Sequence, residues 1–307
     1  MRADEPDPQV RDVLDRLEAL DVPDFDGLEP ARARDLFETL RAQTTRPGDV
    51  ATEDVAIDGP DGDLPARVYR PDDPERTLVF YHGGGFVVGS VESHDSLARA
   101  LADRTTSTVV SVEYRLAPEH PFPAAVHDAY VATTWAAENA ADLGGDDLVV
   151  AGDSAGGTLA AVVSLLARDR DGPSIDYQVL VYPATSQSDD WPSVSAPETG
   201  QFLTSDEMAW FGERYLADPI DAANPYAFPL NACEFADLPP ATVVTAGFDV
   251  LHDEGVAYAT ALEEAGVPVI RRNYPAMIHG FVGMLGEVDA ALDAVDAIAD
   301  DLAEPLP

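Results

Sequence analysis

The amino-acid sequence predicts an α/β protein in which one mostly parallel sheet is covered by helices on both faces. The chain has 307 residues, which is enough for one large domain with a buried core. Over most of its length, short apolar runs typical of buried strands alternate with longer helical patterns. Alternation at this spacing is typical of parallel βαβ units.

The first part of the chain is predicted to be helical. Residues 10–40 have the pattern of two polar helices, separated at residues 22–30 by a break rich in Pro, Asp and Gly. A β-rich stretch follows, with predicted strands at residues 66–69 and 77–81. The second of these is a mostly apolar run that leads into a cluster of glycines, as expected of a buried strand.

Helices and strands then alternate, with one interruption. The predicted elements are helix 93–104, strand 108–114, helix 124–138, strand 147–151, helix 156–169, strand 178–182, strand 241–246, helix 254–265, strand 267–274 and helix 288–302. Residues 186–227 interrupt this order with a segment rich in Pro, Ser and aromatic residues. Its one helical stretch, 205–216, has Thr204 or Ser205 as the candidate N-cap. An insertion after the carboxyl end of a strand lies over the ligand site of such a sheet, so we expect a lid.

The charge balance is strongly acidic. The chain has 18 Lys+Arg, all of them Arg, against 57 Asp+Glu, which gives a net charge of -39. Such a surface repels nucleic-acid phosphates and anionic lipid headgroups, so neither nucleic acid nor a membrane is an expected partner. The carboxylates are spread throughout the chain, which favours adaptation to high salt, since at about 1 M ionic strength the Debye length falls to ~3 Å.

Cysteine content and hydropathy exclude further classes of protein. Cys233 is the only cysteine, so an intramolecular disulfide is impossible and a zinc cluster would lack thiolates. The N-terminus has no apolar core segment, and no stretch approaches the ~18 apolar residues of a membrane helix. We therefore expect a soluble, cytoplasmic monomer or homodimer that uses no metal and no cofactor.

The strongest chemical signal is the sequence G-D-S-A-G-G at residues 152–157, between a predicted strand and a predicted helix. A serine at a sharp strand-to-helix turn points outward at the carboxyl edge of the sheet, and the flanking glycines leave room for the neighbouring strand and helix. The helix N-terminus favours developing negative charge. This context makes Ser154 the candidate nucleophile, whereas an isolated motif of this kind is often only a glycine-rich turn.

A second glycine cluster, H-G-G-G-F at residues 82–86, follows strand 77–81. Acyl transfer passes through a tetrahedral oxyanion, and consecutive glycines allow backbone N–H groups to converge on that oxygen without obstruction. Three glycines alone are more often a flexible turn. Together with the serine motif, they predict an oxyanion hole.

A nucleophilic serine needs a histidine as base and a carboxylate to orient the histidine, and in this arrangement the three residues occur in the chain order Ser, acid, His. Among the six histidines, His279 alone lies in a loop after a late strand and before the last helix, where a base can reach back over the sheet. The alternative, His252, is expected to begin a helix. Asp249, in the segment Gly247-Phe248-Asp249 that follows strand 241–246, is preferred to Asp253. Asp253 and Glu254 are expected at the N-terminus of the next helix, where a carboxylate commonly caps the helix or complements its dipole.

These motifs occur in an order that resembles the hormone-sensitive-lipase-like branch of the α/β-hydrolases, which consists mostly of carboxylesterases. The resemblance runs from about residue 78 to the last helix and includes Y-R-L-A-P-E-H-P-F-P-A-A at 114–125 and H-G-F at 279–281. It implies an α/β-hydrolase fold with a helical cap. The implied roles are nucleophile for Ser154, general acid and base for His279, orienting carboxylate for Asp249, and oxyanion hole for the N–H groups of Gly84, Gly85 and Ala155.

The chain departs from the family at two positions next to the acid. The family has D-P-L-R-D-E-G there, whereas this chain has Val250 and His252 in place of the Pro and the Arg. The acid itself matches. For the block at 114–125 the resemblance implies a structural role near the oxyanion loop, with cis bonds at Ala117-Pro118 and Phe122-Pro123.

The family resemblance also divides the chain. N-terminal cap helices occupy residues 1–45, the first part of the α/β-hydrolase core 46–185, the cap insertion 186–227 and the second part of the core 228–307. Residues expected around the substrate come from the motifs and the cap: His82, Phe86, Asp153, Phe202, Leu203, Phe211 and Phe281. Ordinary packing of the cap on the core is the alternative for the three that come from the cap.

The expected activity is hydrolysis of short- to medium-chain carboxylic esters, with a small-molecule ester as the partner. A repulsive acidic surface fits small soluble esters better than aggregated lipid. An amidase or formamidase can use the same three residues and remains an alternative. The family also includes plant hormone receptors that bind ligand without turnover, but these have lost the histidine that this chain keeps.

Overall fold

The computed structural model describes residues 2–41, 49–145, 147–196 and 202–303. In these residues eight strands form one sheet in the order β1-β2-β4-β3-β5-β6-β7-β8. Strands β3 to β8 run parallel to one another, whereas β1 pairs antiparallel with β2 and β2 with β4. The strands are β1 Ala51–Gly59, β2 Gly62–Arg70, β3 Arg76–Tyr81, β4 Ser107–Val112, β5 Asp147–Asp153, β6 Tyr177–Val181, β7 Ala241–Phe248 and β8 Val269–Ile278.

Helices cover both faces of the sheet, as the alternating pattern predicts. They are α1 Pro8–Ala19, α2 Pro30–Arg41, α3 Asp95–Thr105, α4 Ala124–Glu138, α5 Ala140–Leu143, α6 Ala155–Asp169, α7 Ser205–Tyr215, α8 His252–Glu264 and α9 Asp289–Ala303. Alternate residues of β3 belong to the two apolar clusters on opposite faces of the sheet. Val79 is in the cluster with α4, α6 and α8, and Leu78 is in the cluster with α3 and α9. Because both faces are buried, the central strands are apolar throughout.

Strand β1 and most of the extent of β2 were not predicted from the sequence. Nearly all of β1 is exposed at the edge of the sheet, where charged residues such as Glu53, Asp54 and Asp58 are tolerated. Its apolar pattern is therefore too weak to distinguish it from a loop. The predicted strands at the centre of the sheet correspond to β3 to β8 with small changes at their ends.

Two separate parts of the chain lie over the carboxyl ends of the strands. A third apolar cluster joins Phe25 and Phe37 of the N-terminal part with Leu203, Trp210 and Phe211 of the insertion. Of the two candidate N-caps of α7, Thr204 is the one that caps it. The predicted boundary between residues 45 and 46 lies outside the described residues.

One local expectation is met. The peptide bonds Ala117-Pro118 and Phe122-Pro123 are cis. In the part of the chain that the structure describes, none of the helices combines the length and the apolar character needed to cross a membrane.

Candidate active site

Ser154 is the single residue between β5 and α6. Its backbone has φ 54° and ψ −121°, a combination that is costly for a residue with a side chain. The turn is possible because of two glycines. A methyl group on Gly156 would lie 1.9 Å from the carbonyl oxygen of Tyr81, and one on Gly152 would lie 2.3 Å from the backbone of Gly156. The backbones of β3, β5 and α6 therefore touch below Ser154, and its side chain borders the cavity above them.

His279 and Asp249 reach Ser154 from the loops after β8 and β7. His279 Nε2 lies 2.9 Å from Ser154 Oγ, and His279 Nδ1 lies 2.8 Å from Asp249 Oδ2. Asp249 Oδ1 accepts the N–H of Leu251 at 2.9 Å, which fixes the carboxylate. A Nδ1–H that donates to the carboxylate leaves Nε2 as an acceptor for the hydroxyl proton. The structure thus brings together three residues that are far apart in sequence.

The two alternative residues have other partners. Asp253 Oδ2 accepts the N–H of Ser193 at 2.8 Å, and Asp253 Oδ1 lies 2.9 Å from His252 Nδ1. His252 is the first residue of α8, as expected. Asp253 therefore fixes the insertion to the core at Ser193.

The glycine loop after β3 adjoins Ser154. Gly84 and Gly85 have φ values of 124° and 56°, and both line the same cavity as Ser154 and Ala155. A methyl group on Gly84 would lie 2.1 Å from the carbonyl oxygen of Val88. Ala155 is the first residue of α6, where backbone N–H groups have no partner within the helix. Backbone donors from two elements thus border the space above the hydroxyl.

Asp153 connects the glycine loop to the serine turn. Its Oδ1 accepts the N–H of Gly83 at 2.9 Å and lies 3.5 Å from His94 Nε2. Burial raises the pKa of Asp153, but the neighbouring His94 and Arg41 outweigh this effect and lower the pKa to about 2. Asp153 is therefore ionised at neutral pH and holds the loop by a charge-assisted hydrogen bond.

A cavity with about 820 Å³ of space, partly open to solvent, lies above Ser154. Five of the predicted pocket residues line it: Phe86, Asp153, Phe202, Leu203 and Phe211. Further lining residues were not predicted from the sequence, and they include Phe25, Phe37, Arg41, Glu207, Met208, Tyr215 and Phe228. The available signal for the first two was an aromatic residue in an otherwise polar region, Phe25 in the break between the N-terminal helices and Phe37 on the second of them.

His82 and Phe281, which were expected around the substrate, do not line this cavity. His82 is fully buried behind the glycine loop, with its ring stacked on Tyr114 at 4.2 Å. Burial lowers the pKa of His82 to about 3, so the ring is neutral. Phe281 is fully buried in the core and packs 5.0 Å from the ring of Tyr274. Both residues border a motif, but the backbone turns their side chains away from the cavity.

Comparison with known proteins identifies the family. The family described as alpha/beta hydrolase fold matches residues 78–283. The chain belongs to this family. Esterase LipI of Mycobacterium tuberculosis is 44% identical over 280 residues, which are 88% of this chain and 86% of that protein. The ethyl acetate hydrolase of Pseudomonas putida is 38% identical over 91% of this chain and 92% of its own length.

Solved structures agree with this membership. An esterase of Pyrobaculum calidifontis is 43% identical and superposes with a TM-score of 0.87 over 97% of this chain and 98% of that one. The predicted α/β-hydrolase fold is confirmed, as is the resemblance to the carboxylesterases of the hormone-sensitive-lipase-like branch. Within the described residues of the hydrolase, no group of three or more His, Cys, Asp or Glu could hold a metal ion.

A second buried carboxyl group lies close to the loop of Asp249. Glu254 is 2% exposed, and its Oε1 accepts the N–H groups of Thr185 at 2.6 Å and Ser186 at 3.2 Å. These bonds tie α8 to the start of the insertion. Burial raises the pKa of Glu254 to about 8. The N–H groups of Thr185 and Ser186 act against this rise, and the charge of Asp249 adds to it. The hydrolase thus keeps Glu254 protonated at neutral pH.

This raised pKa predicts a specific pH dependence of stability. Between the ordinary pKa of 4.5 and the folded value of about 8, the folded state holds a proton that the unfolded state lacks, so stability falls as the pH rises. Glu254→Gln mimics the protonated form and keeps the Oε1 acceptor. In urea unfolding, we expect the free energy of the wild type to fall between about pH 5 and pH 8 by at least ~1 kcal/mol more than that of the variant.

The matched control is Glu264→Gln, which alters an exposed carboxylate at the end of the same helix. Its stability curve should run parallel to that of the wild type. Parallel curves for Glu254→Gln as well would show that Glu254 is ionised in the folded state.

Proposed function

We propose that this ester hydrolase cleaves short- to medium-chain carboxylic esters by acyl transfer, with Ser154 as the nucleophile, His279 as general acid and base, and Asp249 as the orienting carboxylate. The observation that carries this proposal is the continuous contact from Asp249 Oδ2 through His279 to Ser154 Oγ, at 2.8 Å and 2.9 Å. Relatives named as an esterase and a carboxylesterase support esters as the substrate class. Each step uses protein groups and water alone.

In the first step, Ser154 Oγ attacks the ester carbonyl carbon while His279 Nε2 takes the hydroxyl proton. The carbonyl oxygen becomes an oxyanion that the N–H groups of Gly84, Gly85 and Ala155 stabilise. Asp249 keeps the imidazole in the required tautomer and stabilises its positive charge.

The tetrahedral intermediate then collapses. The bond to the alcohol oxygen breaks, His279 gives its proton to that oxygen, and the acyl group stays on Ser154. In the second half, His279 deprotonates a water molecule that attacks the acyl carbon. Collapse of this second intermediate releases the carboxylic acid and restores the Ser154 hydroxyl.

The shape of the cavity supports small substrates. Aromatic rings close one wall, where Phe86 stacks on Tyr215 at 3.7 Å and Tyr215 meets Phe228 edge-on at 6.1 Å. A neutral ester also reaches this acidic protein without charge repulsion.

The first test removes the nucleophile. Ser154→Ala should lower kcat for a short ester such as ethyl acetate by ~10⁴-fold or more, since only the oxyanion hole and substrate binding remain. Far-UV circular dichroism should be unchanged. The wild type should react with one equivalent of an organophosphate and the variant with none. A variant that keeps a tenth of its activity would contradict the assignment, and a wild type that does not react would favour ligand binding without turnover.

The second test distinguishes the two aspartates. Asp249→Asn should lower kcat by about 10⁴-fold because the amide favours the wrong histidine tautomer. Asp253→Asn is the matched control, since Asp253 contacts Ser193 and His252 and should change kcat by less than about tenfold. Similar, small losses in both variants would show that Asp249 is not the orienting group.

We also propose that the protein is adapted to high salt. A net charge of -39 in a chain without lysine leaves many carboxylates to repel one another in dilute buffer. Exposed ion pairs such as Arg271 with Glu263, at 2.6 Å, contribute little each. Screening of the repulsion by salt is therefore the larger effect on stability.

The third test is a salt series. Between low salt and about 3 M KCl, we expect the melting temperature to rise by at least ~5 °C, which is about 3 kcal/mol for a chain of this size, and activity to rise with it. NaCl should act like KCl because screening depends on ionic strength. A flat melting temperature would remove the salt proposal and leave the esterase proposal intact.

A further inference from the structure

A second cavity lies beside the one above Ser154. It has about 540 Å³ of space, partly open to solvent, between helices α1 and α2 and the segment that follows His279. Its wall is largely apolar and includes Leu17, Leu20, Leu40 and Met284. Arg16 and Glu287, which form an ion pair, also line it. Its lining therefore suits an alkyl chain, and none of the residues assigned a chemical role belongs to it.

The two cavities share a wall made of Arg41 and Phe202, which line both. Both side chains lie against Gly280. A methyl group on Gly280 would lie 3.5 Å from Arg41 Nη2 and 3.9 Å from the Phe202 ring. Because Gly280 directly follows His279, this wall stands on the histidine side of the first cavity.

The two halves of the shared wall differ. The Arg41 guanidinium lies 5.3 Å from the ring centre of Phe37 and close to the turn after His279. A methyl group on Gly283 would lie 2.0 Å from Arg41 Nη1, so the guanidinium occupies the space that a side chain there would need. Phe202 is half-buried and belongs to the insertion. Its ring is thus the part of the wall that a substitution can remove without disturbing the turn.

We propose that Phe202 limits the length of the alcohol part of the substrate by closing the first cavity off from the second. This inference rests on the proposed mechanism. The departing oxygen must lie against His279 Nε2 to receive its proton, so the alcohol chain extends along the side formed by His279 and Gly280, toward Phe202. The acyl chain leaves the same carbon in a different direction, toward the wall where Phe86 stacks on Tyr215.

The experiment compares the wild type and Phe202→Ala on two matched ester series. One series varies the alcohol, from ethyl acetate to hexyl acetate, and the other varies the acid, from ethyl acetate to ethyl hexanoate. In the variant, the kcat/KM of hexyl acetate relative to ethyl acetate should rise by about tenfold or more over the wild-type ratio, since each newly buried methylene is worth roughly fourfold. The ratio in the acid series should change by less than about twofold.

Two further variants control for a general loosening of the site. Phe211→Ala enlarges the first cavity without touching the second, and it should produce no gain selective for long alcohols. Leu20 is 65% exposed and lines the second cavity, so Leu20→Trp can fill that space with little risk to the fold. Combined with Phe202→Ala, it should abolish the gain.

Melting temperatures check that each variant folds. If Phe202→Ala is unstable, Phe202→Leu should give a smaller change in the same direction.

The outcomes separate this inference from the proposed function. An unchanged alcohol ratio, or an equal gain in both series, overturns the role of Phe202. A gain confined to the acid series also overturns it and assigns the second cavity to the acyl chain. In each of these cases the wild type still turns over ethyl acetate and reacts with one equivalent of organophosphate, whereas failure of the proposed function would abolish both.

Discussion

The rest of the site depends on the approach of Gly156 to the carbonyl oxygen of Tyr81. Helix α6 can begin directly against β3 only because position 156 has no side chain, which would otherwise lie 1.9 Å from that oxygen. The same approach sets the unusual backbone of Ser154 and brings it next to the loop that continues from β3. Because Asp153 also accepts the N–H of Gly83 at 2.9 Å, the hydroxyl and the glycine loop are positioned as one unit.

Buried carboxyl groups near the site are accommodated in opposite ways. Asp153 has His94 and Arg41 nearby, which outweigh its burial and lower its pKa to about 2. Among the described residues, Glu254 has backbone donors but no cation beside it, and it lies near the charge of Asp249, so burial raises its pKa to about 8. The difference means that one group holds the glycine loop as an anion, while the other fixes the start of the insertion without adding a negative charge. In so acidic a protein, a neutral Glu254 limits repulsion around Asp249.

The sequence predicted best those features that short stretches of backbone determine. The turn at residues 152–157 and the central strands need only local glycines and apolar runs, and the structure has both. The edge strand β1 was missed because its exposed residues need not be apolar. The cavity wall was predicted in part, since the direction of His82 and Phe281 and the contribution of Phe25 depend on packing between distant segments. Local sequence patterns do not determine how segments that are distant in sequence pack against one another.

The cap and the core supply different parts of the site, and this separation constrains how specificity can change. Glu207 joins the two cap segments by accepting the N–H groups of Phe25 at 3.1 Å and Thr204 at 3.0 Å. Arg34 of α2 donates to the carbonyl oxygens of Val87 and Ala117, which fixes the N-terminal segment to the core.

Walls that belong to the cap, such as Phe202, can therefore vary while the contact between Ser154 and His279 stays in place. Substitutions in the loops that bear Ser154, Asp249 and His279 lack this freedom, because each loop is held by glycines or by buried hydrogen bonds. Substrate range in this fold is thus expected to change through cap residues, with the reaction itself unchanged. The two cavities on either side of Phe202 are one place where a single side chain can make that change.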